Sequence, residues 1–253
     1  MKIPFVSPTI AKGKSYARAL LNATKSIEER YRDMDPVFFD LYRACSPYTM
    51  TSIERMYAIY TAINYIVKHN IAGDIVECGV WRGGSCMMAI FQLQRLGDTS
   101  RKVYLYDTFK GMPVPTEADV RHDGQRIADR WETQKEGDHN AWDYASFEDV
   151  KHNVQSTGYP ESHIHYVQGR VEDTIPAQLP GAIALLRLDT DWYESTKHEL
   201  IHLYPLLVSR GVLIIDDYGH WRGSRDAVDE YMKEQNLPLL LHRLDYTGRV
   251  AVK

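Results

Sequence analysis

The 253-residue sequence has little cysteine, no excess of basic charge and no long apolar run. Each shortage excludes a class of protein. Its three cysteines, Cys45, Cys78 and Cys86, are an odd number at spacings that match no zinc site, and two lie in apolar segments. They read as buried thiols in a reducing compartment, which predicts a cytoplasmic protein. With Lys plus Arg at 30 against Asp plus Glu at 34, the net charge of −4 argues against a long basic surface for a nucleic-acid backbone. No stretch reaches the length of a membrane span. The N-terminus is broken by Pro4 and Pro8 and followed by Lys12, Lys14 and Arg18, so it lacks the apolar run of a signal peptide. No internal repeat or low-complexity segment is visible. What is present is 44% hydrophobic content, enough to bury a full core, and the expected partners are small molecules.

Residues 1–47 mix helical patches with Pro4, Pro8, Pro36 and Pro47 and read as an N-terminal extension to a main domain over 48–253. A capping-box pattern, Thr51 with Glu54, predicts a helix whose apolar positions Ile53, Met56, Tyr60, Ile63 and Val67 recur up to Asn70. The chain then alternates. Strands are expected from Asp74, at Lys102–Tyr106, Ile164–Gln168, Ile183–Leu188 and Val212–Ile215, with helices at Ser85–Leu96, Ser146 to about Gly158, Tyr193 to about Ser209 and about Ser224–Gln235. Leu239–Leu244, a turn at Thr247 and Gly248, and Arg249–Val252 read as a closing hairpin. Such alternation predicts an α/β fold with a mainly parallel sheet, helices on both faces and ligands at the carboxyl ends of the strands. The polar stretch from Phe109 to about Ala145 breaks the pattern and reads as a lid over substrate.

The organising stretch is Asp74 to Ser85, in which a strand ending at Glu77 passes through Gly79, Gly83 and Gly84 into a helix. A second strand ends at Asp107, where a carboxylate can accept both ribose hydroxyls of a nucleoside. The glycines do not fit the G-x-G-x-x-G spacing that a dinucleotide pyrophosphate requires. An acid ahead of them would repel a pyrophosphate but suits a ligand carrying an amino group and a sulfonium, which points to S-adenosylmethionine. Four more carboxylates, Asp189, Asp191, Asp216 and Asp217, end two strands that should be close in the sheet. Converging carboxylates raise one another's pKa unless a cation compensates them, and all-oxygen ligands suit Mg²⁺. Asp216 and Asp217 precede the Ser224 helix by too many residues to be its caps. The pattern H-E-x-x-H at His198–His202 spells a zinc motif, but in mid-helix, away from the cleft and with no further ligand. His139 and His220 could approach substrate, although solvated histidines are the plainer reading.

Several segments together resemble the macrocin O-methyltransferase family. They are Thr49-Met50, Ile75 to Ser85 (Ile-Val-Glu-Cys-Gly-Val-Trp-Arg-Gly-Gly-Ser), Tyr106 to Pro113 (Tyr-Asp-Thr-Phe-Lys-Gly-Met-Pro), Asp173 to Pro176, Leu186 to Tyr193 and Ile214 to Tyr218. The match runs from about Thr49 to the C-terminus. The resemblance implies a class I S-adenosylmethionine methyltransferase fold with a seven-stranded sheet, S-adenosylmethionine as methyl donor and a bound Mg²⁺. It places Thr49, Met50, Glu77, Gly79 and Ser85 near the methionine end, Asp107 and Thr108 at the ribose, and Asp191, Asp216 and Asp217 on the metal. The family often has Gly-Trp-Phe where this chain has Gly169, Arg170 and Val171, and the segment 114–145 shows no match.

The implied reaction is O-methylation of a sugar hydroxyl on a natural product. Mg²⁺ would grip adjacent oxygens of the acceptor and lower its pKa, Asp191 would take the proton as general base, and Asp189 would hold the donor's ammonium group. The rivals are a catechol-like acceptor on the same metal and a non-catalytic S-adenosylmethionine-binding protein, with a dehydrogenase disfavoured by the glycine spacing. The resemblance also implies a homo-oligomer, a dimer or higher, for which residues 1–47 are the candidate interface.

Overall fold

A computed structural model describes residues 25–253. Pro4 and Pro8, and most of the expected N-terminal interface, therefore lie outside the described residues. The chain divides into two compact units, 1–40 and 41–253. In the described part of the first, Ser26 and Glu29 form a reciprocal capping box on helix α1, Ile27–Arg30. Helix α2 covers Pro36–Cys45.

The second unit carries one sheet of seven strands: β1 Asp74–Cys78, β2 Val103–Asp107, β5 Ile164–Gln168, β6 Ile183–Leu188, β7 Leu207–Ile215, β8 His242–Arg243 and β9 Arg249–Val252. Their spatial order is β5-β2-β1-β6-β7-β9-β8, the first five parallel to their neighbours and β9 antiparallel to both β7 and β8. From β1 the chain first moves outward to β2 and β5 and only later returns to place β6 on the other side. The order therefore reverses between β1 and β6, and a crevice opens there at the carboxyl ends.

Helix α3, Ile53–Lys68, leads into β1, and α4 Gly84–Arg95, α6 Phe147–Gln155, α7 Val171–Thr174, α8 Tyr193–Leu203 and α9 Arg222–Glu234 connect the strands, with a short α5, Ala128–Thr133, in the insertion. Val76, Cys78, Leu186 and Leu188 on one sheet face share a buried cluster with Leu200 and Leu203 of α8 and Val228 and Tyr231 of α9. By the two-residue alternation of a strand, Ile75, Glu77 and Arg187 point to the opposite face.

Four expectations are corrected, the simplest being the first strand of the closing hairpin, which covers only His242–Arg243 of the expected Leu239–Leu244. The cap of α3 is Ser52, whose Oγ accepts from Arg55 N at 3.2 Å, because the Thr51 hydroxyl is engaged by Arg187 Nη2 at 2.9 Å. Helix α8 stops at Leu203, short of Ser209: Pro205 cannot continue an α-helix and sits in a tight turn, Tyr204–Leu206. Strand β7 consequently begins at Leu207, five residues before Val212, with Leu207 paired to Ile183.

Candidate active site

The crevice at the strand ends is a cavity of about 360 Å³. On one side the chain leaves β1 through Gly79, whose φ is +77° and whose added Cβ would stand 1.9 Å from the carbonyl oxygen of Asp189. Only glycine permits that approach. An added Cβ on Gly84 would meet the Tyr48 carbonyl at 2.6 Å, so the end of the turn lies hard against the segment leading to Thr49 and Met50. Asp107 ties the turn to β2: its Oδ2 accepts from Val80 N at 2.7 Å and Trp81 N at 3.2 Å, and its Oδ1 from Phe109 N at 2.8 Å. Burial raises its pKa, and these three backbone donors oppose the rise. Arg82 pairs with Asp149 of α6 at 2.8 Å and closes the loop from outside.

The floor is ionic. Arg187, 2% exposed in the middle of apolar β6, pairs with Glu77, with Asp189 at 2.7 Å and with Asp216 at 2.5 Å. Arg55 of α3 pairs with Asp216 and, at 3.0 Å, with Asp245. The Cys86 thiol donates to Glu77 Oε2 at 2.7 Å. Desolvation raises the pKa of Glu77, and Arg187 opposes that rise.

Beyond this arginine-bonded group stand Asp191 and Asp217, both lining the cavity. Asp191 takes a left-handed φ of 66°, uncommon for a residue with a Cβ, and its N–H donates to Asp217 Oδ2 at 3.3 Å. Burial and repulsion by Asp217 and Asp189 push the Asp191 carboxyl well above the usual range; burial and Asp189 push Asp217 up to about 8. Among the described residues, carboxylate oxygens of Asp189, Asp216 and Asp217 lie within 4.8 Å of one another. The donor set is all oxygen, and the two arginines that touch it are shared with Glu77 and Asp245, so it fits a hard divalent cation. Asp216, held by two arginines, has the least freedom to serve as a ligand.

Of the residues singled out in the sequence, Thr49, Met50, Gly79, Ser85, Asp107, Thr108, Asp189, Asp191, Asp216 and Asp217 all line this one cavity. Glu77 does not. It lies beneath the floor, spent on Arg187 and Cys86. His220 lines the cavity and bonds through Nδ1 to the Tyr246 hydroxyl, whereas His139 lies elsewhere, stacked on Tyr144 at 4.2 Å. His198 of the H-E-x-x-H pattern contacts the Ile175 carbonyl through Nε2 at 3.0 Å, and no metal-ligand group among the described residues includes it.

The insertion 109–145 is a built roof. It contains α5 and a two-strand ribbon, β3 Lys135–Glu136 with β4 His139–Asn140. Trp142 packs edge-on to Trp192 and stands 6.1 Å from Trp221, while Trp192 Nε1 donates to the Pro113 carbonyl at 3.0 Å. Buried Asp119 accepts from Tyr193 N at 2.8 Å, capping α8 from the insertion. Arg130, stacked on Trp142 at 3.8 Å, and Asp143 close the cavity from above. The sequence assigns no role to Arg187 or Arg55, and it marks the roof residues only as parts of an expected lid. Only Arg187 carried a signal, since a lone cation in a strand buried on both faces must be paired.

Residues 13–252 match the macrocin-O-methyltransferase (TylF) family model. The chain is 32% identical over 216 residues to 8-demethyl-8-(2,3-dimethoxy-alpha-L-rhamnosyl)-tetracenomycin-C 4'-O-methyltransferase of Streptomyces olivaceus, covering 85% of this chain and 79% of that one. It is also 32% identical over 201 residues to demethyldecarbamoylnovobiocin O-methyltransferase of Streptomyces niveus, covering 79% and 74% of the two chains. The structure of the O-methyltransferase NovP superposes with a TM-score of 0.69 at 30% identity, covering 81% of this chain and 82% of NovP. The fold is that of the class I methyltransferases, and the chain belongs to the macrocin-O-methyltransferase family.

Proposed function

We propose that the protein methylates a hydroxyl of a sugar carried by a natural product, using S-adenosylmethionine and Mg²⁺. The observation that carries this reading is the convergence on one cavity of a glycine turn tied down by Asp107 and an acidic pair, Asp191 with Asp217, outside the arginine-bonded group. The rhamnosyl and novobiocin substrates named for the two Streptomyces relatives support a glycosylated acceptor.

When bound, S-adenosylmethionine supplies an electrophilic methyl group, and Mg²⁺ supplies charge that lowers the acceptor hydroxyl's pKa. This chain's residues supply position, proton transfer and shelter. Thr49, Met50, Gly79 and Ser85 would surround the methionine end of the donor, Asp189 its ammonium group, and Asp107 with Thr108 its ribose. Glu77 acts from below by orienting Arg187, which in turn holds Asp189. Asp191, with Asp216 and Asp217, would hold the metal, and Asp191 would also accept the acceptor's proton at its carboxylate. Trp142 and Trp221 line the cavity as part of a packed aromatic wall beside which a sugar ring would lie, so positioning would provide much of the rate.

The test is methyl transfer from S-adenosylmethionine to a panel of deoxysugar glycosides and catechols, with and without Mg²⁺. Asp191→Asn should abolish turnover while S-adenosylhomocysteine still binds. Undiminished turnover in that variant would remove Asp191 from its role, and transfer to catechols alone would overturn the sugar acceptor.

A further inference from the structure

The H-E-x-x-H pattern left one residue unexplained. His198 and Glu199 leave α8 in different directions, and Glu199 goes into the core, where its side chain is 0% exposed. There Oε1 accepts from Thr190 Oγ1 at 3.0 Å, and the buried Cys78 thiol at the end of β1 is the other hydrogen-bonding neighbour of the carboxyl. Burying a carboxyl among so few partners is costly. Apolar packing would serve the α8 face without that cost, and of the two neighbours only Thr190 stands in the turn at the site, so the bond to Thr190 is what the acid provides there.

Thr190 is the middle residue of the turn that presents both Asp189 and Asp191. Asp189 N donates to the Cys78 carbonyl at 2.9 Å, and the Asp189 carbonyl lies against Gly79. The Thr190 carbonyl accepts from Trp192 N at 2.7 Å and from Ser195 Oγ at 3.3 Å. The backbone of the turn is thus held on either side, and Glu199 is the anchor of its central side chain. Asp191 then sits at a φ of 66°, a conformation that persists only where its surroundings enforce it.

We infer that Glu199 is a positioning residue, which by holding the Thr190 hydroxyl fixes the turn and so sets the placement of Asp189 and Asp191 in the site. This inference rests on the function proposed above. Glu199 touches neither acceptor nor donor, and it works through Thr190.

The experiment compares Thr190→Val, Glu199→Leu, Glu199→Gln and the double variant Thr190→Val/Glu199→Leu in the full chain, with Mn²⁺ and S-adenosylhomocysteine as probes by calorimetry and thermal melting alongside. Loss of an outer hydrogen-bond partner lowers metal affinity by roughly ten- to a hundredfold. A loss of that size in Mn²⁺ affinity is expected for Thr190→Val and Glu199→Leu. The double variant should be no worse than either single change, because both remove the same bond. Glu199→Gln, whose amide oxygen still accepts from Thr190, should restore binding. Thr190→Val leaves Glu199 buried without its hydroxyl donor and should melt below the wild type, whereas the double variant removes the orphaned acid and should recover part of that stability. A loss of Mn²⁺ affinity that persists in the double variant, measured well below every melting temperature, separates lost placement from lost stability. Wild-type affinity in Thr190→Val overturns the inference alone, as does a Glu199→Gln variant as impaired as Glu199→Leu. A wild-type protein that binds neither probe overturns the proposed function, and the inference falls with it.

Discussion

Replacing Arg187 by Met tests whether the floor of the site is an electrostatic unit. The guanidinium is 2% exposed and bonded to three carboxylates, Glu77, Asp189 and Asp216, of which only Asp216 has a second arginine, Arg55. Removing one partner of a buried ion pair costs about 3–5 kcal/mol, because the survivor is left charged without water or partner. For a domain of this size each kcal/mol lowers the melting temperature by about 2–4 °C, so a fall on the order of 10 °C is expected. The cost should also depend on pH. Glu77 has a folded pKa raised by burial, and Arg187 is what opposes the rise. A carboxyl with a raised folded pKa contributes its stability fully below its unfolded pKa and loses it as pH rises through the folded value. Removing Arg187 raises that folded value further, so the variant should be least impaired near pH 4.5 and fall increasingly behind wild type toward pH 8. Arg187→Lys keeps charge but cannot bond three partners in a planar fork, and should fall between. Calorimetric melts at a series of pH values read both effects. A destabilisation below about 1 kcal/mol, or one equal at every pH, would refute the assignment of Arg187 as the compensating charge.

Gly79→Ala places a Cβ 1.9 Å from the Asp189 carbonyl at a φ of +77°, so S-adenosylhomocysteine binding should be lost by calorimetry. The backbone conformation alone should cost about 1–3 kcal/mol in urea titrations. Because Asp217 titrates near pH 8, metal binding at pH 7 must displace protons, and Mn²⁺ affinity should climb from pH 6 to pH 9. By the same sign, metal-free protein should lose stability as pH rises through that pKa, and Mg²⁺ should restore it. Asp119→Ala removes the cap on α8 and the acceptor for Thr116 N and Oγ1, at 2.7 and 2.8 Å. About 1–2 kcal/mol should be lost, and limited proteolysis should begin within residues 109–145.

The strands were legible because each obeys a local rule. Ile164–Gln168 and Ile183–Leu188 occupy the expected residues, the second as a nearly apolar run buried on both faces and the first as a half-buried edge strand ended by the turn at Gly169. The element ends were less legible for equally local reasons. Thr51 and Ser52 are adjacent cap candidates, and the choice between them is made by Arg187, far away in sequence and invisible to a window around α3. The break at Pro205 was written in the chain and outweighed by the apolar pattern around it. The insertion was illegible for a different reason. Its order comes from Trp142 against Trp192 and from Asp119 against α8, contacts with no periodicity to betray them.

The candidate site divides along the same line between local and distant causes. A row of acids at strand ends can be read from sequence, and so can the demand for compensating charge. Which acids are compensated cannot be read there, because the answer depends on where two arginines arrive. Arg187 and Arg55 take Glu77, Asp189, Asp216 and Asp245, and those carboxylates become rigid supports for the turn and the floor. Asp191 and Asp217 remain outside that arrangement, line the cavity and repel each other. Asp217 belongs both to that pair and to the three carboxylates, Asp189, Asp216 and Asp217, whose oxygens lie within 4.8 Å of one another, so the two groups meet at it. The glycine turn at Gly79 sets the position of that pair too, because it lies directly against the Asp189 carbonyl at the start of the turn that carries Asp191.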